Sequence, residues 1–118
     1  MTDLQSMHRI DTLLSHVWMV RTFLKHCDEA EEWPEIGGIY RELYDYALSL
    51  GRPLQSQDAA AYLKMARKKF ARLRAATQEF ARLQPDISSH TNFQMAARSL
   101  AAAVEEIGRL LQQVPPRP

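Results

Sequence analysis

The chain has 118 residues, a formal net charge of +1 and a single cysteine. This length suits one domain around one hydrophobic core, and the lone Cys27 excludes an internal disulfide and a zinc site of the Cys-x-x-Cys type. The opening residues lack the continuous apolar core of a signal peptide, and no segment reaches the ~20 apolar residues of a membrane span. We therefore expect a cytoplasmic protein that does not enter a membrane.

Alanine is abundant and runs of alternating β-branched residues are almost absent, which predicts an all-α protein. Charge is distributed unevenly along the chain. Residues 1–55 hold 9 Asp and Glu against 5 Lys and Arg, whereas residues 56–118 hold 5 acids against 10 bases. This difference in charge between the two halves favours complementary contacts between helices or between subunits.

The first predicted helix covers residues 4–27 and contains the most apolar stretch of the chain. Its core face has apolar residues at alternating spacings of three and four, namely Ile10, Leu13, Val17, Val20, Leu24 and Cys27. Trp18, Met19 and Phe23 lie off that face, so apolar side chains surround most of the helix. Such a helix is enclosed by its neighbours or meets another subunit.

The acidic segment 28–34 ends in a proline, which predicts a break before the second helix. Gly37 and Gly38 weaken the start of that helix, so we expect regular structure only from about residue 39. The helix should end near residue 50, with Gly51 as a left-handed C-cap. Because this helix is short, we expect the segment 28–38 or a second subunit to cover the end of the bundle that it leaves open.

Two long helices complete the chain. The third is predicted to begin at its cap Ser56 and to end before Pro85, with Phe70 and Phe80 on its core face. The fourth follows a loop and has the most regular core face, comprising Phe93, Ala97, Leu100, Val104, Ile107, Leu111 and Val114. Together the helices predict an all-α, antiparallel up-down four-helix bundle with a short second helix. We expect one domain over residues 1–114 and a disordered, proline-rich tail over residues 115–118.

Motifs for metal-dependent chemistry are missing from the sequence. No glutamate precedes a histidine by three positions, as di-iron bundles require, and the histidines lack the HxxxH or HExxH spacing of zinc sites. We therefore predict no cofactor and no metal site. If separate helices do assemble a metal or small-ligand site, His16 and His90 are the candidate ligands; otherwise His16 is a partly buried, hydrogen-bonded residue of the bundle.

The segment Arg21-Thr-Phe-Leu-Lys-His26 resembles the Arg-x4-His pattern of HEPN-type ribonucleases, which are helical bundles of similar size. The resemblance implies that Arg21 stabilises a phosphate and that His26 acts as general acid or base. Five residues separate the pair by about 140° around a regular helix. Both side chains can therefore serve one substrate only in a dimer or across a helix break.

A row of bases on the third helix is a second candidate for nucleic-acid contact. Lys64, Lys68 and Arg72 follow each other at i, i+4 spacing and would meet phosphates. However, Phe70 and Phe80 lie on the opposite, core-facing side, which leaves no exposed aromatic platform for bases. A solvated charged face is the simpler interpretation.

Trp18, Met19, Phe23 and Trp33 are candidates for a partner-binding surface, because Trp and Met are favoured at protein contacts. The alternative is that the core simply extends around the first helix. We interpret the chain as a protein that acts by protein-protein contact, as a homodimer or with another protein, without a catalytic centre of its own. The alternatives are an RNA binder or HEPN-like ribonuclease, and a metal or small-ligand binding bundle.

Overall fold

The fold was analysed in a computed structural model that describes residues 1–115, and these residues form an antiparallel four-helix bundle. The helices are α1 (Asp3–His26), α2 (Pro34–Ser49), the short α3 (Gly51–Gln55), α4 (Ala59–Ile87) and α5 (Thr91–Gln113), and a 3₁₀ turn at Asp28–Glu31 joins α1 to α2. The predicted fold class is confirmed. The tail expected to be disordered lies outside the described residues, apart from Pro115. No helix within residues 1–115 is long and apolar enough to cross a membrane.

The four long helices pack in the ring order α1, α2, α4, α5, so α1 and α4 lie diagonally across the bundle. The molecule measures 44 × 22 × 20 Å, and its long axis matches the length of α4 at the usual rise of about 1.5 Å per residue. One cluster of buried apolar side chains fills the centre. As a result, each long helix has one face in the core and one face toward water.

The predicted core faces of α1 and α5 are largely confirmed. On α1, all six positions except Cys27 are buried, and on α5 all seven except Ala97 are buried. Phe70 packs against the core as predicted, but its ring is only partly buried and also lines a groove between α4 and α5. Phe80 is fully buried as expected.

The end of α2 at Ser49 agrees with the predicted end near residue 50, but its start and the role of Gly51 differ from the prediction. The helix begins at Pro34 and continues through Gly37 and Gly38, because proline is pre-organised for a first turn in which its missing N–H has no intrahelical partner. Gly51 is not a left-handed cap, since no glycine of residues 1–115 has a positive φ and Gly51 instead begins α3. The positive φ falls later, on Gln57 at 53°.

The short helix α3 covers the end of the bundle that α2 leaves open. It packs against α4 and α2, and Leu54 lies against the core. Next to it, the Gln57 amide oxygen lies 3.1 Å from Nε2 of His8 and so connects this corner to the first turns of α1. The acidic 3₁₀ segment contacts α1 and α2 near the start of α2 instead. The expectation that residues 28–38 would cover the open end was therefore wrong.

Both predicted limits of α4 were also wrong. The helix is capped by Asp58, whose carboxylate accepts a hydrogen bond from the Ala61 backbone N–H at 3.1 Å, rather than by Ser56. It continues past Pro85 to Ile87. A proline this close to the end removes only one hydrogen bond, and burial of Ile87 keeps the last turn against the core.

Candidate interaction surface on α1

The outward face of α1 is uncharged over about two turns. Between Arg9 and Lys25 the exposed residues include no Asp, Glu, Lys or Arg; they are Thr12, Ser15, His16, Trp18 and Met19, which we call the α1 outer face. The exposed side of a bundle helix usually carries charge. Depletion of charged residues together with Trp and Met is instead typical of the centre of a protein-protein interface.

Met19 forms a ridge on this face, with 65% of its surface exposed. On one side, between α1 and α5, lies a groove of 330 Å³ whose apolar lining includes Phe23 and Met95. On the other side, between α1 and the α2–α3 corner, lies a groove of 360 Å³ whose lining is mostly apolar and includes Trp18 and Leu54, with Asp11 as its one charged residue. An exposed apolar ridge between two apolar grooves can receive a surface of similar shape.

Trp18 is held in position by its neighbours, although 42% of its surface is exposed. Its ring centroid lies 5.9 Å from that of Tyr44 on α2. The Arg21 guanidinium lies 4.6 Å from the Trp18 centroid and 5.1 Å from the Tyr44 centroid, which is cation–π distance. Nε of Arg21 is buried and has no hydrogen-bond partner in the described part of the chain. Arg21 therefore acts here mainly as a planar cation that braces two aromatic rings.

The other two predicted partner residues are less accessible. The Phe23 ring packs edge-on against Phe93 of α5, with centroids 5.0 Å apart, and forms part of a groove lining. Trp33 is half-buried against the core, immediately before α2. Sequence reasoning missed Met95, which is 46% exposed on α5. The sequence indicated only that Met95 lies off the core spacing of α5. The proximity of Met95 to Met19 depends on how α1 and α5 pack together.

Arg21 and His26 keep the angular separation expected for a regular helix. The helix α1 runs unbroken through both residues, and His26 is exposed as its last residue. The guanidinium of Arg21 stacks on Trp18, one turn nearer the N-terminus. Within one chain the two groups of the ribonuclease-like pattern therefore do not converge, and their catalytic use stays a prediction.

The predicted basic row on α4 is exposed throughout. Lys64, Lys68 and Arg72 all face water. Arg72, however, also lines a groove between α2 and α4 that contains Glu42 and Asp45, so acids lie beside one end of the row. Nucleic-acid binding through these three residues stays a prediction.

The two candidate metal ligands have different surroundings. His16 is exposed beside the groove between α1 and α5, whereas His90 is the N-cap of α5. Nδ1 of His90 accepts the Asn92 backbone N–H at 3.0 Å, so this nitrogen is already used in capping. Within residues 1–115 no group of three His, Cys, Asp or Glu side chains is placed to hold a metal ion.

Comparisons of the chain with protein-family models, with curated protein sequences and with solved structures find no match. Its function is therefore argued from its own side chains.

Proposed function

We propose that this protein acts by protein-protein contact and that it self-associates through the α1 outer face. The observation that carries the proposal is the exposure of Met19, which projects from the middle of an uncharged helix face between two apolar grooves. When a partner covers an apolar side chain that is mostly exposed to water, the free energy of the complex is lowered. Trp18, braced by Arg21, supplies a rigid aromatic contact beside it.

The spacing of the exposed residues supports a symmetric dimer. Thr12, Ser15, His16 and Met19 are placed evenly about the midpoint between Ser15 and His16. If two α1 helices pack antiparallel about a two-fold axis through that midpoint, Thr12 of each copy faces Met19 of the other. The same patch then serves both sides, as an isologous interface requires.

The extent of the face sets the expected affinity. From Thr12 to Met19 the helix rises only about 10 Å, although the flanking grooves widen the contact toward α5 and α3. A standard stable interface buries roughly 800 Å² on each partner, and a contact centred on one helix falls at or below that size. We therefore expect a dimer with a dissociation constant on the order of 10 μM.

Disulfide trapping tests both the contact and its symmetry. In a Cys27→Ser background, Ser15→Cys places a thiol next to the proposed two-fold axis, close enough to its symmetry mate for a disulfide. We expect mild oxidation to convert this variant to a covalent dimer much faster than the control Ala102→Cys, which exposes a thiol on α5. Adding Met19→Glu to Ser15→Cys should abolish that difference. Equal rates for Ser15→Cys and Ala102→Cys would contradict the proposal.

A further inference from the structure

A groove of 620 Å³ lies between α4 and α5, on a side of the bundle that α1 does not reach. Its volume falls within the ~300–1,000 Å³ of typical small-molecule sites. Phe70, Val104 and Gly108 form its apolar part, and its walls are the middle of α4 and the C-terminal half of α5. The α1 outer face and this groove share no residue, so a function here is independent of self-association.

Small residues on α5 leave room for the Phe70 ring and for the groove beside it. A Cβ at Gly108 would lie 2.9 Å from Cζ of Phe70, so the glycine allows the phenyl ring to rest against the backbone of α5. Ala101 contributes only a methyl group to the same wall. The partly buried Phe70 ring packs against the core, and its remaining exposed surface faces the groove, where an apolar ligand can contact it.

The charges around the groove are mostly positive. Arg67, Arg74 and Arg109 line it together with one acid, Glu105, which is 3.5 Å from Arg109. The guanidinium carbon of Arg74 lies 5.7 Å from the centroid of the Phe70 ring, and no carboxylate of residues 1–115 pairs with it. A cation thus lies directly beside the aromatic surface.

Arg67 holds a second guanidinium at one end of the groove. Its Nη2 donates to the backbone oxygen of Leu111 at 2.8 Å and to that of Val114. These bonds fix the group through one nitrogen, and among residues 1–115 no further hydrogen bond holds its other N–H groups. A guanidinium fixed in this way adds a positive charge at the end of the groove and attracts an anion toward it.

We propose that this groove binds an organic anion with an apolar body, such as an aromatic carboxylate. The apolar body packs on Phe70 and Gly108, and the carboxylate accepts hydrogen bonds from Arg74, with Arg67 adding positive charge at the groove end. The ligand needs both an apolar body and a negative charge. A purely apolar ligand would make no contact with the cations, and a small anion such as chloride would not cover the apolar part of the groove.

Calorimetric titration of the full chain with 1-naphthoate and with its neutral analogue 1-naphthalenemethanol tests the ligand class. We expect naphthoate to bind at least about tenfold more tightly than the alcohol, as a charge-assisted hydrogen bond implies. Arg74→Gln should weaken naphthoate binding by about tenfold. The control Arg72→Gln removes the same charge from the same helix outside the groove and should change affinity less than about twofold.

Filling the groove provides an independent variant. Ala101→Leu places a larger side chain in the groove, whereas Ala102→Leu adds the same side chain on the exposed side of α5. Only the first should abolish naphthoate binding, and both proteins should retain the helical circular dichroism of the wild type. The proposal is overturned if naphthoate fails to bind at millimolar concentration, if the alcohol binds equally well, or if each variant and its control behave alike.

Discussion

Shortening Met19 should weaken self-association strongly without unfolding the bundle. Complete burial of a methionine side chain contributes about 1.5–3 kcal/mol. Since 65% of Met19 is exposed, a partner can recover about two-thirds of that value, or roughly 1–2 kcal/mol. A symmetric interface contains the residue twice, so Met19→Ala should remove about 2–4 kcal/mol from the dimer and raise its dissociation constant roughly 30- to 700-fold.

Sedimentation equilibrium over a concentration series measures this change directly. The matched control is Leu48→Ala, because Leu48 is 63% exposed on α2 but lies beside the groove between α2 and α4, away from the α1 outer face. Alanine is a good helix former, so neither variant should lose helix content. A contact through Met19 is contradicted if Met19→Ala dimerises like the wild type, or if Leu48→Ala weakens the dimer equally.

Three further outcomes concern the stability of the chain. Arg67→Gln should lower the free energy of unfolding in urea by about 1–3 kcal/mol, because it removes a cation and two hydrogen bonds from the C-terminal end of α5; an unchanged unfolding midpoint would refute this. Tyr46→Phe should destabilise by about 1 kcal/mol, since the Tyr46 hydroxyl donates to the Ala66 oxygen at 2.9 Å. Tyr62→Phe should be neutral or stabilising, since the buried Tyr62 hydroxyl has no hydrogen-bond partner among residues 1–115. The opposite order would count against the described packing. Burial, reinforced by the negative charge of Glu29, raises the pKa of the Cys27 thiol, so the unfolded chain loses this proton at lower pH than the folded chain. The stability that the protonated Cys27 thiol contributes should therefore be present below the ordinary pKa of a thiol and be lost as the pH rises through the raised pKa. Cys27→Ser should flatten the alkaline end of the pH-stability curve measured by urea unfolding.

Hydrophobic spacing was sufficient to predict the fold of this chain. The three-and-four spacing on α1 and α5 marks residues that are buried, because both helices place one continuous face in the core. The ends of the helices were predicted less well. Gly51 and Pro85 usually interrupt helices, yet packing of Leu54 and Ile87 against the core keeps both segments helical. Tertiary contacts decided these boundaries, and such contacts have no local signal in the sequence.

For the candidate surfaces, too, the positions of residues on one helix could be predicted from the sequence, whereas contacts between helices could not. Trp18 and Met19 could be singled out because they fall off the core face of one helix, and their exposure follows from that position. The cation–π contact of Arg21 with Tyr44 and the proximity of Met95 to Met19 depend on neighbouring helices. The groove beside Phe70 was missed for a related reason. Phe70 falls on the core spacing of α4, and the sequence does not show that its ring packs against the backbone at Gly108 on α5.

The central claim is that two copies of this chain meet through the α1 outer face. Backbone amide NMR spectra recorded while the wild-type protein is diluted from millimolar to low micromolar concentration test it most directly. We expect the signals of Thr12, Ser15, His16 and Met19 to shift together along one binding curve, while those of Lys64 and Lys68 on α4 remain fixed. Spectra that do not change with concentration, or shifts centred on α4, would contradict the claim.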